Sequence, residues 1–156
     1  MNRAQRRAEK HGKKQYEVIV NLPPMLDEWT IFDCPDRIMQ KIKNGAIESH
    51  QGRPIFVDNE GEWCDVCAAL SGWIFTWQKI VEKLQSSISL QGLQTIHNKL
   101  NVAMPITNQD LIKAEECLNL LRKLFRTSNR QVIKEVAKTA QIAIYLEGQR
   151  KVKNES

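Results

Sequence analysis

The sequence has no long apolar run, few aromatics and no short motif of recognised chemistry. Its most apolar uncharged stretch, Val66 to Gln78, is 13 residues. A membrane span needs roughly 20, so this stretch reads as a buried helix and no membrane partner is expected. Five prolines and seven glycines in 156 residues leave no low-complexity linker, and no internal repeat is visible. There is no GxSxG turn, no phosphate-cradling glycine loop and no HExxH pair. The histidines, His11, His50 and His97, are too scattered to frame an acid–base site. The expectation is a non-enzymatic protein with no catalytic residues and no cofactor.

Cysteine is also sparse. Cys34, Cys64, Cys67 and Cys117 are not preceded by a signal peptide, since residues 1–14 are polar and no apolar segment with a cleavage-like site follows. They read as reduced thiols in a cytoplasm. Cys64 and Cys67 have the CxxC spacing that can clasp zinc or cycle as a redox pair. Zinc takes four ligands, and the remaining candidates are Cys34, His50, His97 and Cys117, with no second close pair. A thioredoxin-like site needs a βαβ setting that is not apparent. The structural reading of these thiols is therefore preferred, with a small zinc-binding protein kept as an alternative.

Charge is unevenly placed. Of 23 basic and 18 acidic residues, Arg3, Arg6, Arg7, Lys10, Lys13, Lys14 and Glu9 fall within residues 1–14, leaving 17 of each sign elsewhere. The net charge of +5 thus belongs to an N-terminal arm on a neutral body. The six basic residues of the arm are candidate phosphate contacts, whose grip would be salt-sensitive and independent of sequence. No aromatic interleaves them, so base stacking is not indicated.

Along the chain, Tyr16 to Leu22 alternates Tyr16, Val18, Val20 and Leu22 as a strand does, and Pro23-Pro24 ends it. Asp33-Cys34-Pro35-Asp36 resembles a helix start with a capping aspartate and a first-turn proline. Ile38 and Ile42 form its stripe, and Asn44-Gly45 stops it. Segments 46–50 and 54–58, around Gln51-Gly52-Arg53, read as a hairpin.

A helix is expected from Trp63 to Leu84. Val66, Leu70, Trp73, Trp77, Ile80 and Leu84 are spaced as a heptad seam, with Cys67, Ile74 and Val81 beside it. Being apolar on most sides, this helix should be central. Ala69 and Gly72 leave room for a close neighbour, and the seam could also face a second copy of the chain. Leu90, Leu93, Ile96 or His97, and Leu100 predict a shorter helix ending near Pro105. Thr107 with Asp110 predicts a capping box for a helix over 108–126, with Leu111, Ala114, Leu118, Leu121 and Phe125 inward and Cys117, Leu120 and Leu124 widening the stripe. Ser128 with Gln131 should begin a last helix, striped by Ile133 or Val132, Val136, Ala140, Ala143 or Ile144, and Leu146, and stopped at Gly148.

The expected fold is α+β and mostly helical. A small antiparallel β element (16–22, 46–58) packs on a three- or four-helix bundle (63–147). Residues 15–148 form one domain, flanked by a disordered arm at 1–14 and a disordered tail at 149–156. Of the four tryptophans, Trp73 and Trp77 are expected in the core. Trp29, in a loop after the proline pair, and Trp63 are candidate partner contacts, since tryptophan is enriched at binding hot spots.

Residues 1–14, MNRAQRRAEKHGKK, resemble the opening of many small proteins encoded by phages and prophages, including some tail-assembly chaperones. The resemblance implies a small helical protein that acts by binding, in the cytoplasm of a bacterial host cell; it carries no functional residue over. The expected function is protein–protein binding, as an assembly chaperone, an adaptor or an inhibitor of a host system. The alternative is a nucleic-acid-binding accessory or regulatory protein that uses the arm.

Overall fold

In the computed structural model, residues 27–57 and 60–155 are described. The arm at 1–14 and the expected strand at 16–22 lie outside them. Five helices and one small sheet make up the rest, a mostly helical α+β fold.

Helix α1 (Glu28–Lys43) is capped six residues before the expected cap Asp33. Its cap is Asp27, whose carboxylate accepts from the Thr30 amide at 2.7 Å. The misleading residue is Pro35, which reads as a first-turn proline but lies inside the helix. A proline there has no N–H to give the carbonyl one turn back, which is that of Ile31. Trp73 fills the vacancy: its indole N–H donates to the Ile31 carbonyl at 2.9 Å. The helix ends as expected at Asn44-Gly45. Gly45 has φ +63°, and the amides of Gly45 and Ala46 return to the carbonyls of Ile42 and Lys41, which is a Schellman closure.

The hairpin is present. Strand β1 (Glu48–His50) pairs antiparallel with β2 (Arg53–Val57), Ser49 opposite Pro54. Gln51 and Gly52 both take positive φ, as a two-residue primed turn requires. A third strand, β3 (Trp63–Asp65), pairs with β2 on its other side. These three residues were expected to be helical. The true cap is Asp65, which accepts from the Ala68 amide at 3.0 Å, so α2 (Val66–Lys83) starts after it. The sheet order is β1-β2-β3.

Helix α2 is central, touching α1, β2, β3, α3 (Gln91–Asn101) and α5 (Arg130–Glu155). Both of its expected stripes are used. Val66, Leu70, Trp77, Ile80, Cys67, Ile74 and Val81 are buried, so most of the seam packs within the chain's own core. Phe32 joins α1 to this core. Its ring lies 5.2 Å from Trp77, 5.5 Å from Trp73 and 6.4 Å from Phe125, between centroids. Edge and tilted aromatic contacts of this kind add about 0.5–1.5 kcal/mol beyond buried area. Among the described residues no polar or charged side chain is buried.

Helix α4 (Asn108–Thr127) carries the expected capping box. Asp110 accepts from the Thr107 amide, and Thr107 from that of Asp110. Lys99 also donates to Asp110, at 2.5 Å. Together these hold the Asp110 carboxyl down to about 2, so the cap stays charged until well into acid. Of the either-or stripe positions, Ile96 and Ile133 point inward; Leu120 and Leu146, expected on the apolar stripes, are instead exposed. Helices α1 and α4 run antiparallel, joined by three ion pairs, Glu28–Arg126, Asp36–Arg122 and Lys43–Glu115. Helix α3 meets α4 closely at Gly92, where an added Cβ would lie 2.6 Å from the Lys113 carbonyl oxygen. Helix α5 does not stop at Gly148. It continues to Glu155, through most of the expected tail.

Two outcomes test this account by chemical denaturation. Trp73→Phe keeps an aromatic ring but strips the Ile31 carbonyl of its donor, and should cost about 1–3 kcal/mol. In a Pro35→Ala background, which restores a backbone N–H, that cost should shrink by at least about 0.5 kcal/mol; equal costs in both backgrounds would break the link. Gly92→Ala should destabilise by about 1–3 kcal/mol, because a fixed carbonyl has to move.

Candidate interaction surface

Helix α5 is held almost entirely by α2, lying antiparallel along it. Ile144 sits over Gly72, its Cδ1 3.9 Å from where a Cβ would be, while Val132 and Val136 are near Lys83 and Lys79. On α5 Ile133 and Ala140 are buried and Val136 and Ala137 partly so, while Ile144 stays 39% exposed. Small side chains cannot fill the space beside a round helix, so a groove runs along each flank. The first, about 540 Å³, lies between α1, α2 and α5 and is lined by Ile31, Cys34, Ala69, Gly72, Trp73 and Ala137, among others. The second, about 650 Å³, lies on the other flank, lined by Phe75, Val136, Ala140 and Ala143 with charged residues at its rim.

Beyond the overlap with α2, α5 overhangs. At 1.5 Å per residue, its 26 residues far exceed the 18 of α2. Before the overhang, still alongside α2 but on the exposed side of α5, Ile142, Tyr145 and Leu146 are spaced three and four apart and share a face. Tyr145 is 65% and Leu146 60% exposed, and Ile142 is half exposed.

The two tryptophans singled out as partner contacts are both at the surface. Trp29 is 79% exposed, in the first turn of α1 rather than in a loop, because Asp27 starts that helix. Trp63 is 59% exposed on β3. His50 approaches it edge-on, with centroids 4.1 Å apart, on the sheet face where Arg53 also pairs with Asp65 at 2.7 Å. Trp77 is buried at 2% exposure. Trp73 is split, one edge in the core and the other in the first groove.

The zinc candidates do not converge. Cys64 lies on β3 and Cys67 in the first turn of α2, both packed inward. Cys117 donates to the Ser89 carbonyl from α4. His50 is engaged with Trp63, and His97 neighbours Gln94 and Asn98. Among the described residues no group of three or more His, Cys, Asp or Glu is gathered to hold a metal ion. Burial pushes the Cys34 thiol up to about 11, with Cys64 and Asp33 adding to the rise, and also raises Cys67 and Cys117. The phosphate-contact candidates Arg3, Arg6, Arg7, Lys10, Lys13 and Lys14 lie outside the described residues. No described helix is long and apolar enough to cross a membrane.

Sequence reasoning missed the grooves and the overhang. The signal it could have used is the mixture in α5: Ile142 and Tyr145 lie off the expected stripe, and Leu146, expected on it, is two residues past Ile144 and so faces away from it. No protein-family model matches the chain, and no curated protein or solved structure is similar to it.

The thiols give a direct check. In the native protein at pH 8, Cys34 should alkylate on the order of a hundred-fold more slowly than in the unfolded chain, because the thiolate is the nucleophile. Cys67 and Cys117 should also be slowed. Mass-spectrometric labelling kinetics that found Cys34 reacting as a free thiol would contradict its buried placement.

Proposed function

We propose that this protein works without catalysis, by binding another protein through the exposed aromatic and apolar side chains of α5 and the two surface tryptophans. The observation that carries the reading is the stripe Ile142, Tyr145, Leu146 left exposed along the outer side of α5. A stripe of large apolar side chains left in water is the kind of surface that marks an interaction site. Trp29 and Trp63 supply rigid anchors of the type that dominate binding energy.

The basic opening tract, with its resemblance to small phage and prophage proteins, supports a phage or mobile-element origin. The corresponding role is that of an assembly chaperone, an adaptor or an inhibitor of a host system. The arm would add electrostatic attraction and raise the rate of encounter.

The test compares the full chain with two surface variants, Trp29→Ala and the double change Tyr145→Ala with Leu146→Ala. These positions are exposed, so stability should stay within about 0.5 kcal/mol of the parent. Partners captured at native salt by the parent should be weakened by at least about ten-fold in the variants. A partner held equally well by the parent and both variants would overturn the reading, as would a parent that captures none.

A further inference from the structure

The second groove, between α2 and α5, is apolar at its floor, with Phe75, Val136 and Ala143, and charged at its rim, with Lys79, Lys83 and Glu135. We propose that its occupant is the α5 helix of a second copy of this chain, lying antiparallel to the first about a twofold axis. Tyr145, Trp29 and Trp63 stay outside this contact, which therefore goes beyond the binding reading above and leaves them to another protein.

Helix α5 turns a regular seam toward this groove. Val132, Val136, Thr139, Ala143, Leu146 and Arg150 lie alternately four and three residues apart, which is the period of two helices packed along their length. None of the six is buried, and Leu146 is 60% exposed. The chain's own α2 takes a different side of α5, the one that carries Ile133 and Ala140.

The seam is complementary to itself. Reversed about the level of Gln141, it sets Leu146 of the copy opposite Val136, Ala143 opposite Thr139 and Arg150 opposite Val132. Leu146 is the bulky member, and it lands where Val136 and Ala140 leave the groove open. The same patch then serves both molecules, as a closed twofold contact requires.

Charge selects this occupant. With α5 antiparallel to α2 and Ile144 over Gly72, Lys79 and Lys83 stand level with Ala137 and Ile133 of their own chain. Glu147 of the copy falls between those two levels, on the α2 side of the seam, within reach of both ammonium groups. Lys79 already meets Glu82 at 3.8 Å, so Lys83 is its main partner. Arg150 of the copy, opposite Val132, lies about one turn from Glu135. The twofold axis makes each pairing twice, with opposite signs matched at both ends of the groove.

Sedimentation equilibrium of the full chain tests this. The mass should rise reversibly with concentration from 18.0 kDa towards twice that value. Glu147→Lys should raise the dissociation constant at least about ten-fold, and adding Lys83→Glu to it should restore most of the affinity. Both positions are exposed, so the variants keep the fold. Within one chain they are about 20 Å apart along the helices, so rescue reports a contact between copies. A parent that stays monomeric at its highest soluble concentration would overturn the proposal. So would a dimer indifferent to Glu147→Lys, or one that Lys83→Glu does not rescue. A monomeric parent that still captures another protein through Trp29 and Tyr145 would remove this contact alone and leave the binding reading standing.

Discussion

A single hydrogen bond, from the Trp73 indole to the Ile31 carbonyl, lets α1 exist in its observed form. Pro35 removes the amide that this carbonyl would otherwise receive, and a proline in a helix interior costs about 3 kcal/mol. A buried carbonyl without a donor adds further cost. Trp73 answers both from outside the helix and in doing so sets where α1 lies on α2. With α1 in place, Phe32 reaches Trp77 and Phe125, closing an aromatic cluster across three helices. The same seating brings Glu28, Asp36 and Lys43 opposite Arg126, Arg122 and Glu115. Such exposed pairs contribute little individually, about 0–1 kcal/mol; their antiparallel order does more by fixing one register.

The interior beyond that bond is apolar, and this explains why so much of it was legible. Both stripes of α2, the α4 capping box and the inward residues Leu93, Ile96, Leu118 and Leu121 follow from spacing alone. The failures share a cause: local chemistry that two residue types could supply. Asp33 and Asp27 are both plausible caps, and only the long-range donor from Trp73 makes the later proline harmless. Trp63-Cys64-Asp65 continues the helical period of α2, yet Asp65 uses its side chain as a cap and leaves the two residues before it to pair with β2. Gly148 is a common stop signal, but a glycine facing solvent within a long helix costs only about 1 kcal/mol relative to alanine.

The candidate surface was legible in its residues and not in its shape. Trp29 and Trp63 are exposed as anticipated, but one is on a helix and the other on a strand. The grooves depend on how little of α2 the alanines of α5 cover, a property of two helices together that no single periodicity records. Gly92 is similar, since its need for a bare Cα comes from Lys113, on the next helix. CxxC spacing led the other way. The motif suggests chemistry, whereas its two sulfurs are divided between a strand and a helix and are packed as small hydrophobes.

Helix α5 is supported by one neighbour and joined to α4 through only Ser128 and Asn129. Its attachment can therefore be satisfied by the α2 of another molecule as well as by its own, since the same Ile133, Ala140 and Ile144 contacts form either way. A straightened two-residue hinge, merging α4 and α5 into one long rod, is all that such an exchange demands. Domain swapping at high concentration is a hazard built into this connection.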